Sequence, residues 1–437
     1  MSRLRLPVLL PCLAVFGLLA PVRGADTLRL TLADALDQVE RTSLDVLLAR
    51  EAVRQTIEQA NQERAALLPD ISLNATQVRR RTASVGGALV SSGINNRFDA
   101  NLSGQLEVLN PQNIANYQAA RLGIKVSELD LAATRESILA SVADTYFQHL
   151  RNLSRIDVLD ANIARARALL DLARRQTDAG VATQIDVTRA EAQLAAAEQA
   201  RLQQDTVVQT SELTLKRLLA LELATPVELT VFNARRVEAP AFAASLEEVA
   251  FERRADFLQA TRLLEQNELE VRAAKFGRLP SLAFTGSYGY ASAEAFNGEE
   301  AKVWSGGVNL SMPVFDGLRT RSLTRLALSR RRAQELRVQD LRLRIGAEVR
   351  LAAQDARSRF AQIAVAERSL RLAEDELSLA QKRFEQGVAD NREIVDAQNN
   401  LAIASDNFVE AIYQYNIARV ELARVQGSVR AIIEEVE

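Results

Sequence analysis

The chain alternates between two hydrophobic periods. Over about 113–178 and 318–385 apolar residues recur at three- and four-residue steps. There is no proline between Pro111 and Pro226 or after Pro313, and almost no glycine. In the second run Ile363, Ala366, Leu370, Ala373, Leu377, Ala380 and Phe384 form a heptad seam with a small residue at every second position. Uninterrupted stretches rich in Ala, Leu, Arg, Gln and Glu predict very long helices. At ~1.5 Å per residue the first is roughly 100 Å long. Return helices follow over about 184–220 and 391–426, and shorter helices over about 31–67 and 245–276. The short ones open with capping-box spacing, Thr31 to Asp34 and Ser245 to Glu248.

Between short and long helices the period falls to two. Residues 98–108 alternate, with Phe98, Ala100, Leu102, Gly104, Leu106 and Val108 against Asp99, Asn101, Ser103, Gln105 and Glu107. Residues 304–314 repeat the pattern through Trp304, Val308, Leu310, Met312 and Val314. Partner strands are predicted over 70–80 and 281–290, after Leu68-Pro69 and Leu279-Pro280, with polar loops at about 82–97 and 291–302. Strands of roughly ten residues suit either a half-buried soluble sheet or a tilted transmembrane strand. Four strands make at most two hairpins, too few for a closed sheet, and open edges cannot sit in lipid. Either the strands pack on helices in one soluble chain, or several chains pool their hairpins into a barrel.

One turn occurs twice. Residues 180–194 and 387–401 superpose without a gap at one offset (387 − 180 = 207). Gly180-Val181-Ala182 meets Gly387-Val388-Ala389, and Asp186 meets Glu393. A glycine closes one helix in the left-handed region, and an N-cap three residues on (Thr183, Asp390) with an acid three further opens the next. Each long helix therefore meets its return partner in a tight hairpin. The chain reads as 1–24 signal peptide, 25–224 first structural repeat, 225–243 linker and 244–437 second repeat.

Composition narrows the function more than the fold. Charge is balanced, 54 basic against 56 acidic residues, and no basic block invites nucleic acid. One histidine (His149) and one cysteine (Cys12) leave no His/Cys zinc site, no intrachain disulfide and little room for Cys–His or Ser–His–Asp catalysis. His149, in Tyr-Phe-Gln-His-Leu on a helix, is expected at a surface or in interface packing. Residues 1–24 carry Arg3 and Arg5, then an apolar run and Val22-Arg23-Gly24, the plan of a secretory signal. Cys12 resembles a lipoprotein acceptor only faintly, because Pro11 precedes it and the apolar run before it is short. No later stretch is apolar enough to span a bilayer as a helix.

In this order and duplication, the Leu-Pro pairs, the run Met312-Pro-Val-Phe-Asp-Gly317 and the two glycine turns resemble the TolC family of outer-membrane efflux proteins across nearly the whole mature chain. The resemblance implies a mainly α fold with a small β part: long α-helical hairpins forming a periplasmic barrel, plus four transmembrane β-strands per chain. It implies a homotrimer with a twelve-stranded barrel in the outer membrane and a tunnel extending into the periplasm. It also implies a periplasmic adaptor and a proton-driven or ATP-driven inner-membrane pump as partners, contact with outer-membrane lipid, no nucleic acid, no cofactor, no metal and no catalysis. The turn tips Gly180, Val181, Ala182, Gly387, Val388 and Ala389 would meet the adaptor. Asp186, Glu393 and Asp396 would line the periplasmic entrance, the last two as a ring of six carboxylates. The alternative for both acids is helix-start chemistry, with Glu393 completing a capping box.

One departure stands out. The positions of the Tyr and Arg that latch some relatives shut are Phe384 and Ala389 here, so closure must rest on packing or on other polar groups. A periplasmic adaptor and a structural coiled-coil protein remain rivals. The first would show one hairpin within β-rich domains, and the second would not need the alternating strands.

Overall fold

A computed structural model describes residues 28–82, 93–180, 182–230, 246–295, 300–386, 388 and 391–432. The expected signal segment with Cys12, Ser245 and most of the linker lie outside the described residues. Along the chain run β1 (Leu28–Leu30), α1 (Leu32–Thr42), α2 (Leu44–Ala65), β2 (Asp70–Thr82) and β3 (Gly93–Leu109), then α3 (Pro111–Asp178) and α4 (Gln184–Leu218). The second half repeats the order as β4 (Val227–Leu229), α5 (Leu246–Arg253), α6 (Ala255–Phe276), β5 (Ser281–Ser292), β6 (Ala301–Ser311), α7 (Arg319–Glu385) and α8 (Asn391–Val425).

The long helices start and stop within about two residues of where the scarcity of glycine and proline predicts. The short helices do not: each expected single helix is two. The first breaks at Ser43 (φ −59°, ψ 127°) and its counterpart at Arg254 (φ −64°, ψ 117°). Neither break carries glycine or proline, and tertiary contacts hold both. The Thr42 hydroxyl lies 2.9 Å from the Leu219 carbonyl. Arg254, whose side chain is 8% exposed, reaches Asp256 at 2.7 Å and Glu348 at 2.6 Å. The Thr31–Asp34 capping box forms as expected.

The four long strands make one antiparallel sheet in the order β2-β3-β5-β6, so the two hairpins join through β3 and β5. Registers line the apolar positions into rungs on one face: Leu73, Leu102, Tyr288 and Trp304 form one, and Leu106, Phe284 and Val308 another. The other face is polar, with Ser72 and Ser103 hydroxyls 2.9 Å apart and those of Ser287 and Ser305 2.8 Å apart. Strand β3 begins inside the expected 82–97 loop. Strand β6 ends at Ser311 rather than 314, because Gly317 (φ +66°) and Leu318 (φ +67°) turn the chain into α7. The Asp316 carboxylate accepts from the Thr320 N–H at 2.8 Å and from its hydroxyl. A two-stranded parallel pair, β1 with β4, was not legible in the sequence.

Side chains from α1, α3, α4, α8, β1 and β4 build the main core, around Leu36, Leu139, Tyr146, Phe147, Leu215 and Tyr413. The Tyr146 hydroxyl sits between the Leu30 carbonyl (3.2 Å) and the Thr230 carbonyl (3.0 Å) and ties the parallel pair to α3. Burial pushes its pKa far up, so it stays a donor. His149 is in interface packing, not at the surface: it is buried with Nδ1 2.7 Å from Ser211 Oγ on α4, and burial lowers its pKa.

Candidate functional site: the hairpin tips and the two-faced sheet

At the first tip α3 ends in Gly180 (φ +77°), whose N–H donates to the Thr177 carbonyl at 2.9 Å, while the Ala182 N–H reaches the Gln176 carbonyl at 3.1 Å. These bonds satisfy the last carbonyls of the helix. Thr183 then opens α4, and the Asp186 carboxylate accepts from the Thr183 N–H (3.0 Å) and hydroxyl (2.6 Å). Those Thr183 bonds hold the Asp186 carboxyl below the usual carboxylate range. A depressed folded-state pKa contributes stability above the unfolded value of about 4, lost as pH falls through the folded pKa. The protection factor of the Thr183 amide is therefore expected to drop below about pH 4. Asp186→Ala should abolish that pH dependence and weaken protection about fivefold, or ~1 kcal/mol of local opening. Hydrogen exchange read by mass spectrometry checks both.

The second tip is described only in part. Val181, Gly387, Ala389 and Asp390 lie outside the described residues, so the expected Asp390–Glu393 box does too. The Val388 N–H returns to the Arg383 carbonyl at 2.9 Å, which satisfies one of the last carbonyls of α7. Glu393 lies 3.3 Å from Arg383 Nε and so braces α8 against α7. Asp396 has Arg392 at 3.8 Å one turn away, and its side chain is 64% exposed. Of the three acids, Asp186 is held in a cap, Glu393 in a bridge, and Asp396 stands most open to solvent.

Between the tips lies a second core of twelve residues from α3, α4, α7 and α8, among them Leu169, Leu170, Val187, Leu377, Ile394 and Leu401. The predicted seam supplies Ala373, Leu377 and Ala380, with Leu370 and Phe384 packed at its margin. Phe384, at the latch position, thus acts through packing. Sequence reasoning missed the polar contact that joins the two hairpins here: Gln193 Nε2 donates to Asn399 Oδ1 at 2.6 Å. It missed Arg383 as well. The register fixes the first only once α4 and α8 are known to lie side by side, whereas the second lies within the α7–α8 hairpin itself.

Among the described residues, no group of three or more His, Cys, Asp or Glu could hold a metal, and no helix is long and apolar enough to cross a membrane. The sheet is another matter. Leu73, Trp304, Val308 and Leu310 stand exposed on its apolar face. Its opposite face offers serine, asparagine and threonine, the two-sidedness of a strand between lipid and water.

Comparison with known proteins agrees with this geometry. The sequence profile of the outer membrane efflux protein family matches residues 35–221 and 246–428. The chain is 24% identical over 407 residues to the outer membrane protein TolC of Vibrio cholerae, covering 91% of this chain and 90% of that one. It is 27% identical over 411 residues to the outer membrane protein OprJ of Pseudomonas aeruginosa, covering 89% and 81%. The Campylobacter jejuni CmeC outer membrane channel superposes with a TM-score of 0.82 at 21% identity, over 92% of this chain and 88% of that one. With two matched segments that span both halves, long helical hairpins and a two-faced sheet, the chain belongs to the outer membrane efflux protein family.

Proposed function

We propose that three copies of the chain form an outer-membrane channel continued by a periplasmic helical tunnel, the passive exit duct of a tripartite efflux or type I secretion system. The observation that carries this is the sheet: the outer edges of its end strands, β2 and β6, have no partner strand among the described residues, yet one face is apolar. Unpaired strand edges do not persist in hydrocarbon. Placing β6 of each copy beside β2 of the next removes every edge, and three copies of four strands give the twelve-stranded barrel.

The helices support the same assembly. Leu336, Leu343, Leu351, Val365, Leu372 and Leu379 recur mostly at heptad spacing along α7, each more than half exposed. Such a stripe, ~65 Å long, is a helix–helix seam without its partner. The tips, through Gly180, Ala182 and Val388, would meet a periplasmic adaptor, with Glu393 and Asp396 gathered around the entrance. Nothing in this reading calls for catalysis or a cofactor.

The test is in-cell crosslinking and pull-down of the tagged protein from membranes, followed by mass spectrometry. A trimer from the outer-membrane fraction with an adaptor is the expected result; a proton-driven partner would point to small-molecule or metal efflux, and an ATP-driven one to protein or peptide secretion or to an ATP-driven drug exporter. A soluble periplasmic monomer with no adaptor overturns the duct. For the entrance, Asp396→Ala with unchanged conductance and cation preference would count against the carboxylate ring.

A further inference from the structure

The charge along α7 is one-sided between the repeats. Residues 316–344 carry nine arginines against only Asp316, Glu335 and Asp340. The corresponding stretch of the first repeat, 109–137, is balanced, with three basic and three acidic residues. Asp316 is engaged by Thr320, and Asp340 lies 2.7 Å from Arg344. Arg321, Arg325, Arg330 and Arg332 have no ion pair among the described residues. Unpaired like charges on one helix repel, and local stability gives no reason to gather them.

Contacts fix how α7 is turned. Buried Thr320, Ala327 and Gln334 recur every seven residues, and Thr324 Oγ1 and Gln334 Nε2 bond to the Ala274 and Ala260 carbonyls of α6. That stripe faces α6. About half a turn round are exposed Leu336 and Leu343, the seam assigned above to the neighbouring copy. At 100° per residue Arg319, Arg330 and Arg337 fall together on one of the two remaining sides, Arg325 and Arg332 lie beside the leucine seam, and Arg342 and Gly346 mark the other side, where α5 packs through Phe251 and Glu247. In a tunnel wall one helix thick, one of these sides faces the bore. The side away from α5 is the one open to a bore, and it brings three arginines per chain and nine per trimer, just below the sheet.

We propose that this outer part of the bore is an anion-binding segment, and that the cargo is anionic, bearing carboxylate or phosphate groups. This rests on the trimeric duct. A cluster of guanidinium groups in a confined passage raises the local concentration of anions and offers paired donors to their oxygens. The acids of the entrance lie at the opposite end of α7, ~65 Å away, beyond several Debye lengths. The two zones therefore act independently.

The experiment is single-channel recording of the purified trimer in planar bilayers, with inorganic tripolyphosphate added on the barrel side. Two triple variants are compared, Arg319→Gln/Arg330→Gln/Arg337→Gln and Arg321→Gln/Arg325→Gln/Arg332→Gln. Tripolyphosphate is expected to block the wild type, and spermine on that side is not. The Arg319/Arg330/Arg337 variant should raise the half-blocking concentration at least tenfold, while the variant at and beside the seam stays near wild type and so reports intact folding. Block should weaken as potassium chloride rises. Failure of tripolyphosphate to block, or equal responses from both variants, overturns the proposal. Absence of a trimer or of any channel in the wild type instead overturns the duct itself.

Discussion

Gly289→Ala is expected to prevent assembly of the barrel, with the chain recovered as monomer and no detergent-stable trimer on gels run without heating. A Cβ at this position would lie 2.2 Å from the Ala100 carbonyl oxygen and 2.6 Å from Asn101 Cα. Both are backbone atoms of β3, so no side chain can swing aside. The rung Asn101–Gly289 belongs to the pairing of β3 with β5, which unites the two hairpins into one sheet. The overlap should cost ~3 kcal/mol or more in each chain, the upper end for overpacking. Gly306→Ala is the matched control: a Cβ there meets nothing within 4 Å, and trimer yield should be unchanged. Equal yields from the two variants would contradict the close approach.

Arg254→Ala comes next in size. The guanidinium is almost fully buried where α5 gives way to α6, and it is shared by Asp256 and Glu348. Removing it leaves two carboxylates without their counter-charge, at a cost of ~3 kcal/mol, the low end for breaking a buried pair. The low end applies because the carboxylates keep 39% and 30% side-chain exposure and water recovers part of the loss. Arg254→Met/Asp256→Leu/Glu348→Leu should recover much of the deficit, because an apolar trio has no charge left to strand. Burial alone would raise the Asp256 pKa; hydrogen bonds and charge from Arg254 outweigh it and leave the value lowered. The stabilisation is thus present above about pH 4, the unfolded-state value, and is lost as pH falls through the folded-state pKa. Thermal melts at pH 7 and pH 3.5 should show the variant's deficit shrinking at the lower pH. A deficit that grows there would refute the sign.

These two positions also mark what a sequence can and cannot reveal. Helices and strands were legible because their signals are local. Missing glycine and proline fix the long helices, and a period of two fixes the strands. The breaks at Ser43 and Arg254 have no local mark, since their causes, Leu219 and Glu348, are distant in the chain. Three-residue strands such as β1 and β4 are too short to show a period, and their pairing spans about two hundred residues. At the tips, the Thr183–Asp186 cap was readable from spacing alone. The Gln193–Asn399 bond depends on which hairpins lie together, which spacing does not encode, and the Arg383–Glu393 bridge depends on side-chain register within a hairpin that spacing did reveal.

The placement of the two cores along α3 has a mechanical consequence. The upper core grips the helix from Leu139 to Leu150 with large side chains, whereas half of the lower core's twelve residues are alanine. A gripped segment above and a smooth one below make the helix a lever with a fixed fulcrum. From Leu150 to Asp178 the free arm is ~42 Å. A tilt of about 5° at the fulcrum therefore sweeps the tip by ~4 Å. Alanine at half of the lower core's positions leaves fewer knobs to lift out of holes there, so the sweep meets less resistance than it would in the upper core. Three such arms turning together would work as an iris, in which a small rotation near the membrane is geared up into a large change of aperture at the far end.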